Sequence, residues 1–144
     1  MCNIDSLFDR LSIRSDENIR EEAIKEARDI KSICVFLMPE TPEHIIMGYS
    51  EAQWDWVKEN EANMWNTLVA SRDLYATSMM IKNQYIGEGP FTKPFTQESP
   101  GRAGAWLGWQ IVESYMRSNP QISIQQLLQQ PDAQMILNNS NYRP

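Results

Sequence analysis

The chain has 144 residues, 42% of them hydrophobic, with five Trp, five Tyr, four Phe and eight Met, enough for one modest core in a single domain. Its formal net charge is −6 and no basic patch is visible, which argues against nucleic acid as a partner. No apolar run is long enough to form a transmembrane segment, and no apolar leader precedes Met1-Cys2, so the chain itself is expected to carry no export signal.

Residues 1–14 show no periodicity and are expected to be flexible. From Ser15 to Leu37 the pattern is helical: Ile19, Ala23, Ile24, Ala27, Ile30, Cys34 and Leu37 fall on one stripe, and Pro39 ends it. Cys34 reads as a small buried hydrophobe. With Cys2 the only other cysteine, neither a metal-binding spacing nor a disulfide framework is present. Thr41-Pro42 suggests a short helix with Thr41 as N-cap, closed by Gly48. Ser50-Glu51-Ala52-Gln53 is a capping box that launches one longer helix, with Trp54, Val57, Met64, Trp65, Leu68 and Val69 inward. Thr77 to Ile86 predicts another helix, turned inward through Met80, Ile81 and Tyr85. Residues 87–98 open with "GEGPFTKPF" and form a Pro/Gly loop pinned by Phe91 and Phe95. Ser99 and Pro100 start the next helix, which runs to Asn119-Pro120. Ser123 to Gln126 is a second capping box, Pro131 or Asp132 begins the last helix, and a polar tail follows. No alternating strand pattern occurs. The fold class is all-α, with about five to six helices in a single helical domain over 1–144.

The helix from Ser99 carries the most specific pattern, "SPGRAGAWLGWQIVESYM". Gly101, Gly104 and Gly108 lie along one side, and each interior glycine costs a helix about 1 kcal/mol relative to alanine. A side without Cβ atoms lets another backbone or a ligand approach closely, and we assign it to close helix packing. At the start of the same helix, Arg102 suits a carboxylate, either in an internal salt bridge or on a ligand. Gly101, Arg102 and Trp106 are therefore the candidate cleft or anion contacts.

The stretch "ESPGRAGAWLGWQIVESYM" followed by "NPQISIQQLLQQPDAQMILNNSNYRP" resembles the C-terminal part of the gliding-motility lipoprotein B family of Bacteroidetes-type bacteria. "GYSEAQWDWVKENEANMW" and "GPFTKPF" are similar to its preceding segments, so the resemblance covers residues 21 to 144. It implies a zincin-like metallopeptidase relative, held in the cell envelope by a lipidated N-terminal cysteine. In that layout an HExxH helix supplies two zinc ligands and the water-activating glutamate, and a downstream helix brings an acidic third ligand. The chain holds a single histidine, His44, so it contains no HExxH. Glu26, in "AIKEARDIKS", stands at the acidic ligand's place, but the glycine and phenylalanine expected around it are not matched.

The expectation is thus a non-catalytic fragment or shortened homologue of an envelope lipoprotein, acting through protein interaction and needing no cofactor. The alternative is the C-terminal half of a zinc-dependent peptidase-like protein whose HExxH helix lies upstream, zinc being bound only with those residues. The implied partner is another protein or the missing N-terminal half. A homodimer or poor solubility is expected if the glycine face and its tryptophans lie uncovered.

Overall fold

The structure, a computed structural model, describes residues 23–25, 27, 28, 40–71, 73, 76–130 and 132–144. Residues 1–14, Glu26 and Cys34 lie outside these. Among the described residues every regular element is helical and no strand occurs, so the chain is all-α.

Residues 23–25, 27 and 28 are helical, with Ala23, Ile24 and Ala27 buried. Helix α1 is Glu43–Met47 and ends at Gly48, whose left-handed φ of 74° is the conformation a glycine accepts without strain. Its N-cap is Pro42 rather than Thr41. Pro42 keeps an extended ψ of 140°, and its carbonyl accepts the first helical N–H groups, from Ile45 and Ile46. The Ser50–Gln53 capping box forms in full and starts α2, Glu51–Glu59.

Where the sequence suggests one long helix after Ser50, the structure has two, α2 and α3 (Glu61–Ala70), parted at Asn60. Asn60 leaves the helical conformation (φ −108°, ψ 11°) as the C-cap of α2, and both its N–H and its side-chain amide donate to the Trp56 carbonyl, at 3.0 and 2.9 Å. Val57, Met64 and Leu68 point inward as expected, whereas Val69 is exposed. Helix α4, Met79–Ile86, buries Lys82, Tyr85 and Ile86. Positions i, i+3 and i+4 make one face, and Met80 is not on it. Met80 is 74% exposed, which corrects the phase expected for this helix. In so short a segment several phases fit the apolar pattern. The one adopted brings Tyr85 against the next helix.

That helix, α5 (Ala103–Ser118), is the hub. Eleven of its sixteen residues are buried, including Trp106, Leu107, Trp109 and Tyr115, so it is enclosed nearly all round rather than along one stripe. It packs on α4 and on α7, Ala133–Asn138. Helix α6, Ile124–Gln129, is started by the Ser123–Gln126 capping box, and α7 by the Asp132 carboxylate, which accepts from the N–H groups of Gln134 and Met135. Arg28 donates to the Gln130 carbonyl, tying the first helical stretch to the end of α6. The polar tail is fastened too. Ser114 donates to the Ser140 carbonyl at 2.6 Å, Tyr142 donates to Glu61 at 2.8 Å, and the Tyr142 ring stands edge-on to Trp65.

Candidate functional site

The three glycines of the α5 segment each face a different piece of backbone. A Cβ at Gly104 would lie 2.8 Å from the Tyr85 carbonyl oxygen and 2.9 Å from Tyr85 Cβ. At Gly108 it would lie 2.5 Å from the carbonyl oxygen of Ala23 and 2.6 Å from its carbonyl carbon. At Gly101 it would run into the Gly89 carbonyl. Helix α4 and the first helical stretch thus lie against α5 where it has no side chain, whereas Gly101, expected on the same helix face, sits in the turn before Ala103 and meets the Pro/Gly loop there. Trp106 and Trp109 are buried, so neither the glycine edge nor these rings lies uncovered, and the self-association argued from a bare face loses that basis.

The start of α5 differs from the reading that places Ser99 as its cap. Helix α5 begins at Ala103, after Arg102 in a left-handed conformation with φ 60°. The Ser99 hydroxyl is engaged elsewhere: it accepts from the Thr92 N–H at 3.0 Å and donates to the Thr96 carbonyl at 2.6 Å. Thr92, in the loop, does the capping instead. Its buried hydroxyl accepts from the Ala103 N–H at 3.0 Å and donates to the Pro100 carbonyl at 2.7 Å. The only sequence signal for this was a lone hydroxyl between two aromatics in "PFTKPF", which does not distinguish a cap from a loop residue.

The same turn anchors α1. Arg102, only 8% exposed, donates to the Met47 carbonyl at 2.6 Å, and the Tyr49 hydroxyl donates to the Gly101 carbonyl at 2.6 Å. Burial pushes the Tyr49 phenol well above its ordinary range, with the positive charge of Arg102 opposing in part, so Tyr49 stays a neutral donor. Beside these bonds lies a cavity of about 270 Å³. Gly101 and Arg102 form one wall, Gly48 and Tyr49 another, and Gln53, Glu88 and Gly89 complete it. Two of the three candidate contacts, Gly101 and Arg102, therefore come together there. Trp106 is not on its walls. It is buried one turn further along α5, edge-on to Trp54 at 6.2 Å, and its indole N–H has no hydrogen-bond partner among the described residues. Tyr49, Gln53, Glu88 and Gly89 escaped the sequence reading because they come from separate segments with no shared motif.

His44 is half-buried on α1, tilted against Trp54 at 6.4 Å. Among the described residues no three His, Cys, Asp or Glu side chains gather as a metal would require, and Glu26 lies outside those residues. The cavity offers a guanidinium, a carboxylate, a carboxamide, a phenol and glycine backbone. That set suits hydrogen bonding and close main-chain approach. It contains no nucleophile paired with a base.

Residues 13–144 match the family described as gliding motility protein GldB. The chain belongs to this family. Membership makes it a gliding-motility lipoprotein relative, with the cell envelope as its setting. The match takes in every element from the first helical stretch to the tail, including the α5 segment and the walls of the cavity. No curated protein and no solved structure matches the chain. Among the described residues no helix is long and apolar enough to cross a membrane.

Proposed function

We propose that this GldB-family chain works by binding, not by catalysis: it holds a partner protein of the gliding apparatus at the Arg102 cavity. The observation that carries the reading is the composition of that cavity. Two glycines, at 48 and 89, keep its walls low enough for a partner's main chain to enter, while the bare side of Gly101 is taken up by the Gly89 carbonyl. Around them stand side chains that donate and accept hydrogen bonds without a reactive pair. The guanidinium of Arg102 and the hydroxyl of Tyr49 are fixed by bonds to Met47 and Gly101, so the site is largely pre-formed.

The test is photo-crosslinking in cells that express the protein, with a photoreactive residue at position 53 or 88. One discrete adduct is expected from both positions, and none from position 80, which is exposed but not on the cavity. Equal labelling from all three positions, or none, overturns the assignment of the site. Stoichiometric zinc in the purified chain, lost on Glu26→Ala or His44→Ala, overturns the non-catalytic reading.

A further inference from the structure

A second concavity, of about 140 Å³, lies away from the Arg102 cavity, between the α2–α3 junction and the loop before α5. Trp56, Asn60, Asn63 and Thr67 form its helical side, and Phe95 and Thr96 its loop side. Its lining contains no ionisable side chain, in contrast to the cavity that holds Arg102 and Glu88.

The hydrogen-bonding state of these groups narrows the ligand. Asn60 has used one amide proton on the Trp56 carbonyl, which leaves its carboxamide oxygen as an acceptor. The Thr67 hydroxyl donates to the Asn63 carbonyl. The Thr96 hydroxyl accepts from the Glu98 N–H at 3.3 Å and retains its own proton for donation. The Asn63 carboxamide is exposed and makes no hydrogen bond among the described residues. Trp56 and Phe95 line the concavity, pack against the core and are only half-buried, so part of each side chain is accessible.

A charged peptide end, a phosphate or a carboxylate would find no counter-charge here. A purely apolar segment would leave the Asn60 Oδ1, the Asn63 carboxamide and the Thr96 hydroxyl proton without partners. The chemistry that meets both requirements is a ring with C–H faces and uncharged hydroxyls at its edge. We propose that this concavity binds one pyranose unit of an uncharged glycan. Trp56 serves as the stacking face, Asn60 Oδ1 accepts a sugar hydroxyl, and Asn63 and Thr96 supply the remaining polar contacts. The proposal does not depend on the Arg102 cavity or its partner.

The experiment is saturation-transfer NMR on the full chain with three neutral probes: N-acetylglucosamine trimer, cellotriose and maltotriose. At least one is expected to show transfer to its ring protons at roughly 1 mM, with a weak Kd that rises at least about tenfold in Trp56→Ala and several-fold in Asn63→Ala. Gln53→Ala, on the other cavity, should leave it unchanged. Should Trp56→Ala fail to fold, the exposed Asn63→Ala and the ring-preserving Trp56→Phe decide, with loss expected in the first and retention in the second. Absence of transfer from all three probes at roughly 10 mM, or undiminished binding in the Asn63 variant, overturns the proposal. Because the readout is sugar binding and the control sits in the other cavity, its failure is distinguishable from failure of the partner-binding reading.

Discussion

Substituting Gly108 by alanine separates two opposed effects that the structure puts at one atom. In a solvent-facing helix the change stabilises by about 1 kcal/mol, because alanine restricts the unfolded backbone and glycine does not. Here the new methyl would lie 2.5 Å from the Ala23 carbonyl oxygen and 2.6 Å from its carbonyl carbon. Relief to an ordinary contact requires moving a backbone segment by about 1 Å. Because the atoms met are backbone and cannot rotate aside, the cost falls in the upper part of the usual range for overpacking, about 2–3 kcal/mol. The balance is a net loss of about 1–2 kcal/mol. With a urea m-value of about 2 kcal/mol/M this lowers the unfolding midpoint by about 0.5–1 M.

Gly104→Ala meets Tyr85 at 2.8–3.0 Å and should lose less than Gly108→Ala. Gly89→Ala is the control, since its Cβ would find its nearest neighbour, the Phe91 carbonyl oxygen, at an ordinary 3.5 Å. It should change stability by no more than about 0.5 kcal/mol. A raised midpoint for both helical variants would mean that nothing lies against that side of α5, and the packing argument would fail.

Thr92→Val keeps the shape of the side chain but leaves the Ala103 N–H and the Pro100 carbonyl without their partner, so a loss of about 2 kcal/mol is expected in chemical denaturation. Arg102→Ala removes the bond to Met47 and should cost about 2 kcal/mol, whereas Arg102→Gly, which accepts the left-handed φ of 60°, should melt above the alanine variant by the equivalent of about 1 kcal/mol. Tyr85 donates to Asp73 at 2.7 Å, and burial, with Asp73 adding to it and Ser71 opposing, pushes its phenol from 10.0 to about 12. As pH rises past 10.0 the unfolded tyrosine loses its proton first, so this contribution is complete below pH 10.0 and declines from there to about 12. Urea midpoints measured across that window should fall less steeply in Tyr85→Phe than in the parent chain.

Elements defined by neighbours in the chain were legible from the residues alone. The boxes at Ser50 and Ser123, the left-handed Gly48 and the Asp132 cap each depend on groups within a few positions. What escaped depends on partners far apart in the chain. Thr92 caps α5 from a loop that looks only irregular. The tail looks polar and unattached until Ser114 and Glu61 are placed beside it. The phase of α4 is set by the approach of Tyr85 to Gly104, not by its own apolar pattern. The break at Asn60 is local, but asparagine sits inside many helices, and only the bond back to Trp56 distinguishes this one. For the candidate site, the spacing of Gly101, Gly104 and Gly108 raised the question of what approaches them without naming Gly89, Tyr85 or Ala23. Arg102 drew notice as a cation at a helix start, while the cavity it lines needed the fold to bring Tyr49, Gln53 and Glu88 together.

Crosslinking from position 53, repeated in a Gly89→Leu background at equal protein level, tests the binding account most directly. Gly89 lines the cavity and its Cβ would meet nothing nearer than the Phe91 carbonyl oxygen at 3.5 Å, so leucine adds bulk at the wall with no clash at its Cβ. Loss of the adduct with the chain still folded is the result the account predicts. An adduct of unchanged yield with the wall filled would show that the partner is held somewhere else.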